Sequence, residues 1–412
     1  MSKVKNPKLA KRGKLSYEWA RSHMQILDNT ISRLKKSKPL KGITLGFCLH
    51  ITKETSVLLI GAKELGAKVA CCGANPLSTQ DDIAAFLASQ GIHTYCWAGQ
   101  SANEYDWCIQ QVLNHKPQIL TDDGSDMNVK VHFDKKYKAL KIFGATEETT
   151  AGVNRIRAVE KQGKLRYPVI SVNDAYTKHM FDNRYGTGQS SIDGYLRAMN
   201  LLLASKRIVV AGYGWVGKGV ASNCRGMNAK VIVTEIDPIR ALEAHMDGFE
   251  VMPMSQAAKI GEIFITTTGM AGVIRKEHIL TMNDGAVVGN VGHFDVEVDA
   301  NFLLKKSKSV KQIRPHLDEC TLRNGKKIYL IGEGRIANLT AAEGHPPEVM
   351  AQSFSNQLLS ILHILKNHKK MPKSVIAVPK EIDRQIAKDA LRAMNVKIDS
   401  LTKEQIKYMG SW

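Results

Sequence analysis

The second half of the chain alternates short apolar runs with polar gaps of helix length. The runs include KRIVVAGYG, AKVIVTEID, EIFITTTG, GAVVGNVG and KIYLIGEG, between about residues 205 and 335. Several of them are continuous and rich in β-branched residues, which is typical of strands that are buried on both faces of a sheet. Because the gaps have the length of crossover helices, the pattern predicts a parallel, doubly wound α/β sheet.

The first half of the chain shows the same alternation, in runs such as GITLGFCLH, AKVACCG, QILTDDGSD, KIFGATEETT and YPVISVNDA. Each run is apolar and then turns abruptly polar. In open parallel sheets, ligands bind beyond the carboxyl ends of the strands. The pattern therefore predicts a second α/β sheet with a polar site along that edge. The side chains that would form it are His50, Thr52, Glu54, Asp122, Asp123, Glu148, Asn173 and Asp174.

The fold class that these patterns predict is α/β, with two doubly wound parallel-sheet domains and a small C-terminal extension. We place the first domain at residues 1–184 and 347–378, the second at 185–346, and the extension at 379–412. The polar and aromatic stretch NDAYTKHMFDNRYGTGQSSIDG is predicted to cross between the domains, which would leave a cleft between them.

Composition and charge narrow the choice of partners. The chain is 43% hydrophobic and 24% charged, as in ordinary folded proteins. It has no apolar run near the roughly 18 residues of a membrane span, and its basic N-terminus lacks the apolar block of a signal peptide. The net charge of +19 comes from scattered lysines without interleaved aromatic residues, so we expect no membrane partner and no specific nucleic-acid partner. Seven cysteines without a C-x-x-C pair favour reduced thiols in the cytoplasm, and no motif predicts a metal site.

The segment VVAGYGWVGKGVA places Gly212, Gly214 and Gly217 in a G-x-G-x-x-G turn directly after a predicted strand. In dinucleotide-binding folds these glycines allow a tight turn, a close approach of the backbone to the pyrophosphate, and close packing of the following helix. The next predicted strand ends in Glu235, whose carboxylate would bind ribose hydroxyls and repel a 2′-phosphate. The turn therefore predicts binding of NAD rather than NADP.

Two later strands of the same predicted sheet end in ITTTG and GNVGHFD. Because the carboxyl ends of parallel strands meet at one edge, both segments should lie beside the cofactor. We expect Asn290 and His293 to reach its nicotinamide end. His293 lies among glycines rather than on an apolar face, which favours a place in the site over a place in the core.

Many short motifs, in one order from about residue 16 to the end, resemble the S-adenosylhomocysteine hydrolase family. They include LHITKET, NPLSTQDD, TDDGSD, TEETTAG, NDAYTKHMFDNRYG, VVAGYGWVGKGVA, VTEIDP, NVGHFD, GEGRIANL and GHPPEVMAQSF. The resemblance implies reversible hydrolysis of S-adenosyl-L-homocysteine to adenosine and L-homocysteine, with firmly held NAD. In that chemistry the ribose 3′-hydroxyl is oxidised, the ketone acidifies the C4′ proton, homocysteine is eliminated, water adds, and the ketone is reduced again. The resemblance makes the first domain substrate-binding and the second a Rossmann NAD-binding domain.

The resemblance also implies roles for individual residues. Lys178 and Asp182 match the pair that handles the 3′-hydroxyl proton, where a lysine acts as a base only if desolvation or a nearby cation lowers its pKa. The other matches are Asn173 and Asn183 beside this pair, His50 and Asp123 near C4′ and C5′, Glu148 on the ribose hydroxyls, Thr52 and Glu54 on the adenine edge, Ser78 on the amino-acid tail, and His293 and His345 on the homocysteine and adenine sides.

The cofactor-binding matches come from both domains. They are Thr149, Thr150, Gly212, Gly214, Trp215, Val216, Gly217, Glu235, Thr268, Asn290 and Asn338. Thr187 stands where many members have Cys, and Trp215 stands where many have Asp. The chain ends at YMGSW, whereas many members continue into a tail with Lys and Tyr that covers the NAD of a neighbouring subunit. We therefore expect a short form of the family that assembles as a homotetramer or homodimer, with residues 379–412 in the interface.

Three alternative functions remain open. One differs in the base of the nucleoside substrate, and the other two differ in the activity itself. A carboxylate at Glu54 would accept a hydrogen bond from the adenine amine and repel the 6-oxo group of hypoxanthine, which favours adenine. A donor such as the adjacent Lys53 would suit an S-inosyl-L-homocysteine hydrolase, but we expect Lys53 to be exposed. The second rival is an NAD-dependent hydroxy-acid dehydrogenase of similar build, and the third is a basic NAD-binding regulator of nucleic acid.

Overall fold

Two eight-stranded sheets form the frame of the protein, and the computed structural model describes residues 2–411. The chain first forms β1 (Lys3–Val4), β2 (Thr44–Cys48), β3 (Lys68–Cys72), β4 (His93–Cys96), β5 (Ile119–Asp122), β6 (Gly144–Glu147) and β7 (Val169–Ser171). It then forms β8 (Arg207–Ala211), β9 (Lys230–Thr234), β10 (Glu250–Val251), β11 (Ile263–Thr266), β12 (Ala286–Asn290), β13 (Ser309–Arg314), β14 (Leu317–Thr321) and β15 (Lys327–Ile331). The last strand, β16 (Val375–Ala377), returns to the first sheet beside β7.

Helices connect the strands and pack on both faces of each sheet. They are α1 (Ala10–His23), α2 (Gln25–Leu34), α3 (Lys53–Glu64), α4 (Asp81–Ser89), α5 (Ala102–Asn114), α6 (Asp126–Phe133), α7 (Thr150–Lys161), α8 (Tyr176–Lys178), α9 (Thr187–Met199), α10 (Trp215–Gly226), α11 (Pro238–Met246), α12 (Met254–Ile260), α13 (Lys276–Thr281), α14 (Ala300–Lys306), α15 (Ala337–Thr340), α16 (Pro347–Asn367), α17 (Lys380–Ala393) and α18 (Lys403–Met409). Short 3₁₀ turns lie at Pro7–Leu9, Lys135–Tyr137, Val172–Asp174 and Gly332–Gly334, and a π-helical turn covers His179–Gly186.

The strand order places a crevice at the carboxyl edge of each sheet. The first sheet has the order β1-β4-β3-β2-β5-β6-β7-β16, and the second has β10-β9-β8-β11-β12-β15-β14-β13. The connections reverse direction between β2 and β5 and between β8 and β11, and ligands bind at such switch points in open α/β sheets. Of the predicted site residues, His50 and Asp123 follow β2 and β5, and Gly212 and Thr268 follow β8 and β11.

Alternation of side chains along the strands explains why both faces are covered. In β8, Ile208 and Val210 belong to one hydrophobic cluster, while Val209 between them belongs to another on the opposite face. The predicted α/β class with two doubly wound sheets is confirmed. The antiparallel hairpin of β13 and β14 at the edge of the second sheet was not predicted, because the exposed segment SVKQIR lacks the apolar run of a buried strand.

One almost continuous helical segment crosses from the first sheet to the second. It consists of α8, the π-helical turn and α9. The π-helical turn packs on α10, and a Cβ at Gly219 of α10 would lie 1.8 Å from the backbone oxygen of Arg184. Glycine at this position is therefore what allows the two domains to meet at the start of the cleft. π-Helical turns are rare and are frequent at functional sites.

The C-terminal part of the chain returns to the first sheet. Helix α16 packs on α2 and α3, and α17 packs on α16, α2 and α8. After Ala393 the described chain is exposed, including all of α18. Within residues 2–411, we find no helix with the length and apolar character that a membrane crossing requires.

Candidate active site

A cavity of about 1170 Å³ lies between the carboxyl edges of the two sheets. Pockets for one small molecule usually measure roughly 300–1000 Å³, so this cavity has room for a cofactor and a substrate together. Most of the predicted site residues line it. They are His50, Thr52, Glu54, Asp123, Glu148, Thr149, Thr150, Asn173, Lys178, Asp182, Asn183, Gly212, Gly214, Trp215, Val216, Glu235, Thr268, His293, Asn338 and His345.

Five predicted residues do not line the cavity. Asp122 is buried and accepts the backbone N–H groups of Asp123 and Asn128, and Asp174 pairs with Arg157 at 2.6 Å. The other three lie behind the cavity wall. The Oγ of Ser78 is 2.6 Å from His50 Nδ1, so Ser78 holds a site residue in place. A Cβ at Gly217 would lie 2.0 Å from the Gly212 oxygen, which places this glycine at the contact of helix and strand. The Nδ2 of Asn290 donates to the backbone oxygens of Gly292, Phe294 and Gly334, so Asn290 supports the loop of His293 and does not line the cavity.

Lys178 is the buried cation at the centre of the substrate side. Its Nζ donates to Asn183 Oδ1 at 2.7 Å and lies 3.3 Å from Asp182 Oδ2 and 3.6 Å from Glu148 Oε1. The amide of Asn183 donates in turn to Asn173 Oδ1 at 3.0 Å. The crossing helical segment thus presents Lys178, Asp182 and Asn183, which the resemblance of TKHMFDN implied, to one point of the cavity.

The charges around Lys178 correct one expectation. Burial alone would lower the pKa of Lys178, but the attraction of Asp182, then of Glu148 and Asp123, outweighs burial and raises the pKa above its usual value. Burial raises the pKa of Glu148 to about 8 despite the nearby lysine. The condition for Lys178 to act as a base by itself, a lowered pKa, is therefore not met, and within this cluster Glu148 is the group whose pKa lies near 8.

His345 lies against Asp182. Its Nδ1 lies 2.8 Å from Asp182 Oδ1, and Ser353 Oγ donates to the other carboxylate oxygen at 2.6 Å. Burial pushes the pKa of Asp182 upward, but the charges of Lys178 and His345 outweigh burial and hold it below its usual value. His345, which the resemblance implied for the adenine side, is thus a direct neighbour of Asp182 in the cavity wall.

Asp123 lies between two histidines on the facing wall. Its Oδ2 is 3.6 Å from His50 Nε2 and its Oδ1 is 3.3 Å from His293 Nδ1. Burial lowers the pKa of His50 to about 4, so this imidazole is neutral at pH 7. Nitrogen and oxygen atoms of the three side chains lie within 4.8 Å of one another, close enough to bind a metal ion. The resemblance implied His50 and Asp123 as neighbours, whereas nothing in the sequence indicated that His293 contacts Asp123.

Glu54 forms a buried carboxylate at the far end of the substrate side. Its side chain is 1% exposed, and its Oε1 lies 3.2 Å from Lys53 Nζ. The same Nζ lies 3.0 Å from Glu343 Oε2, in the loop that leads back from the second domain. The prediction that Lys53 is exposed is therefore wrong, because the two carboxylates hold its side chain at 13% exposure.

The glycine turn forms the opposite end of the cavity. Gly212 has φ of 98°, and a Cβ at Gly214 would meet only Arg240, at 3.6 Å, so the backbone is open to a ligand there. Helix α10 begins at Trp215, directly after the turn, and its N-terminal N–H groups suit phosphate oxygens. The Glu235 carboxylate accepts the backbone N–H of Tyr213 at 2.7 Å, which fixes it beside the turn.

Comparison with known proteins agrees with this geometry. The family model described as "S-adenosyl-L-homocysteine hydrolase" matches residues 1–142, and the one described as "S-adenosyl-L-homocysteine hydrolase, NAD binding domain" matches residues 183–344. The adenosylhomocysteinase of Sulfurisphaera tokodaii is 55% identical over 410 residues, which cover 100% of this chain and 98% of that protein. The chain belongs to the S-adenosyl-L-homocysteine hydrolase family. The predicted resemblance is confirmed.

Relatives in this family carry two different names. The adenosylhomocysteinase of Saccharolobus solfataricus is 52% identical over 411 residues, covering 100% of this chain and 98% of that protein. The S-inosyl-L-homocysteine hydrolase of Methanocaldococcus jannaschii is also 52% identical, over 412 residues that cover 100% of this chain and 99% of that protein. Overall identity therefore does not separate the two names.

The match of the NAD-binding domain confirms NAD as the cofactor of this family member. The residues present fit a dinucleotide. The open backbone at Gly214 and the N-terminus of α10 suit a pyrophosphate, and Glu235 suits the ribose hydroxyls. Asn338 Oδ1 is a buried acceptor with no hydrogen-bond partner among residues 2–411, and Asn338 lines the cavity, where a carboxamide N–H could reach it.

Several buried side chains that support the site were missed in the sequence. Glu147 accepts hydrogen bonds from Gly124 N at 2.9 Å and Thr149 N at 3.0 Å, and so joins the strand ends that carry Asp123 and Glu148. Gln357 of α16 donates to Glu148 Oε2. Glu147 could have been found as the buried acid at the end of the apolar run in TEETT, whereas Gln357 lies 209 residues from its partner and gives no local signal.

Proposed function

We propose that this family member catalyses the reversible hydrolysis of S-adenosyl-L-homocysteine to adenosine and L-homocysteine. The observation that carries the proposal is that two buried acid–base groups face one cavity together with a dinucleotide turn. One group is Lys178 with Asp182 and Glu148, and the other is Asp123 between His50 and His293. Cleavage of a thioether at C5′ through a sugar ketone needs both, because protons leave the 3′-oxygen and C4′ at different times.

The first group is suited to the proton of the 3′-hydroxyl. A charged Lys178 cannot accept that proton by itself, since its pKa is raised. Glu148 Oε1 lies 3.6 Å from the lysine nitrogen and titrates near neutral pH, so the pair shares protons as one unit. We assign the pair as the general base for the 3′-hydroxyl, with Asn183 and Asp182 holding the lysine nitrogen in place. Bound NAD supplies the hydride acceptor for the oxidation and the hydride donor for the final reduction.

The second group is suited to the elimination and the addition of water. Asp123 is assigned as the acceptor of the C4′ proton, since its carboxylate faces the cavity between two imidazoles. His50, neutral because of its lowered pKa, can accept a proton from the water that adds. Only then, as the imidazolium, can it donate that proton to the homocysteine thiolate. Thr52 and Glu54 are assigned to the base of the nucleoside, and Ser78 keeps His50 oriented rather than binding the amino-acid tail.

Thiol release tests the proposed function. Purified full-length protein with its NAD, given S-adenosyl-L-homocysteine, should release homocysteine, which a thiol reagent detects, without net growth of NADH. An accumulation of NADH without free thiol would instead indicate a hydroxy-acid dehydrogenase. Salt-sensitive binding to DNA or RNA, with no thiol release, would favour the nucleic-acid regulator.

The preference of the site for one nucleoside base depends on whether Glu54 is protonated. We propose adenine as the preferred base. Burial raises the pKa of Glu54, while the charge of Lys53 opposes that rise. A charged Glu54 can only accept a hydrogen bond, as an adenine amine requires. S-Inosyl-L-homocysteine remains the second candidate substrate, because a protonated Glu54 could donate to a 6-oxo group.

Removal of the Lys53 charge should shift this preference. In Lys53→Met, the pKa of Glu54 should rise further, so the ratio of kcat/KM for S-inosyl- over S-adenosyl-L-homocysteine should grow about tenfold, the equivalent of one pKa unit. The matched control is Lys63→Met, an exposed lysine of the same helix, which should leave the ratio unchanged. An unchanged ratio in Lys53→Met would refute this account of base selection.

The exposed C-terminal segment suits assembly with a second copy of the chain. Ile398, Leu401, Ile406, Tyr408 and Met409 are all more than half exposed, which is unusual for a cluster of large apolar side chains. We propose a homo-oligomer that buries residues 379–412. We also propose that the protein is located in the cytoplasm, because its cysteines are buried, unpaired thiols. The molar mass of the full chain in solution, measured by light scattering, tests the assembly, and cell fractionation tests the location.

A further inference from the structure

We propose that Asp383, on α17, is a positioning residue for the oxidation of the 3′-hydroxyl, because it fixes the backbone of the helical turn that carries Lys178. The inference rests on the proposed function and extends it to a part of the chain outside the cavity. Asp383 does not line the cavity, and no motif in the sequence pointed to it.

Asp383 makes its contacts with the residues just before Lys178. Its Oδ2 accepts the backbone N–H of Tyr176 at 2.7 Å. Its Oδ1 accepts the backbone N–H of Thr177 at 2.9 Å and the hydroxyl of Thr177 at 2.5 Å. The carboxylate is buried, and these three hydrogen bonds join segments 206 and 207 residues apart.

The helical turn has no local cap that could replace these bonds. The first N–H groups of a helix lack partners within the helix, and a side chain just before the helix usually accepts them. Here the preceding residue is Ala175, which offers no side-chain acceptor. Asp383 performs this capping role from α17, and its negative charge also favours a helix N-terminus.

A second contact ties the same turn to α16. The Nδ2 of Asn356 donates to the Thr177 hydroxyl at 2.8 Å, so this hydroxyl links α16 and α17. Lys178 follows Thr177 directly and must hold its Nζ 2.7 Å from Asn183 Oδ1, across the start of the π-helical turn. Lys178 is the third and last residue of α8. The direction of its side chain therefore depends on how the first two residues of the helix, Tyr176 and Thr177, are anchored.

The test compares three full-length, NAD-loaded variants with the wild-type protein. They are Asp383→Ala, Asp383→Asn and, as a matched control, Asp389→Ala, a carboxylate of the same helix that contacts Arg392 and Gln385 instead. Adenosine is added in a single turnover, and the absorbance of bound NADH reports oxidation of the 3′-hydroxyl. NAD content, thermal unfolding and KM are measured on the same samples.

We expect the oxidation rate of Asp383→Ala to fall about 10- to 10²-fold, the usual consequence of a small misplacement of a reacting group. KM for adenosine and NAD content should stay close to wild type, since the variant leaves the cavity wall intact. The oxidation rate of Asp383→Asn should fall less, because the amide oxygen of the new asparagine can still accept a hydrogen bond from Thr177. The control should oxidise adenosine at the wild-type rate.

A wild-type oxidation rate in folded, NAD-loaded Asp383→Ala would overturn the inference. A fall in rate that is fully accounted for by a higher KM for adenosine, or by loss of bound NAD, would also overturn it. If Asp383→Ala does not fold, Asp383→Asn decides the question by the same criteria. Failure of the wild-type protein itself to oxidise adenosine would contradict the proposed function instead, so the two failures are distinguishable.

Discussion

Lys178→Met should lower the rate of 3′-hydroxyl oxidation by at least about 10²-fold, the lower end of the effect of a general acid–base group. The physical reason is the buried charge of Lys178, which faces Asp182 and Glu148. Methionine fills the same volume without that charge, so burial should raise the pKa of Glu148 above its wild-type value of about 8. The carboxyl would then stay protonated at pH 8, where about half of it is ionised in the wild-type protein. NADH formed on addition of adenosine, followed in a single turnover, measures the rate.

The matched control for this variant is Lys161→Met, an exposed lysine at the end of α7. It should oxidise adenosine as the wild-type protein does. The pH dependence adds a second criterion. In the wild-type protein, the rate should fall as the pH drops below about 8, because Glu148 takes up a proton there. A Lys178→Met rate near wild type would remove Lys178 from the general-base pair.

Asp123→Asn should stop the reaction after the first step. The amide keeps the shape of the side chain between His50 and His293, but it cannot accept the C4′ proton. Oxidation of the 3′-hydroxyl should continue, since Lys178 and Glu148 are unchanged. We therefore expect bound NADH to accumulate with S-adenosyl-L-homocysteine, while release of homocysteine falls at least about 10²-fold.

Asp134→Asn, the same change outside the cavity, is the control for this prediction and should release homocysteine at the wild-type rate. The two assays separate the assigned roles. If Asp123→Asn released homocysteine normally, the C4′ proton would have another acceptor. If it failed to form NADH at all, Asp123 would belong to the first step.

The parts of the site that depend on local sequence were predictable. The turn around Gly212 needs a positive φ and an open backbone, and these requirements are visible in the G-x-G-x-x-G spacing. The polar residues that end β2 and β5 were predictable too, because the apolar runs of buried strands stop abruptly at the edge where ligands bind.

The parts that depend on distant contacts were not predictable. The raised pKa of Lys178 comes from carboxylates at Asp182, Glu148 and Asp123, and their balance against burial requires coordinates. In the same way, Lys53 is covered by Glu343, which lies 290 residues away in the chain. The exposed strand β13 was missed for another reason: its hydrogen bonds to β14, rather than buried apolar residues, hold it in place.

In the proposed reaction, a transient 3′-ketone of the sugar allows the C5′–S bond to break. NAD accepts the hydride at the start of the turnover and donates it back at the end, within the same cavity. The most direct test is homocysteine release by protein from which all NAD has been removed, before and after NAD is added back. We expect no release of homocysteine without NAD, recovery of release when NAD is added, and no net formation of NADH. Release at the full rate by nucleotide-free protein would contradict it.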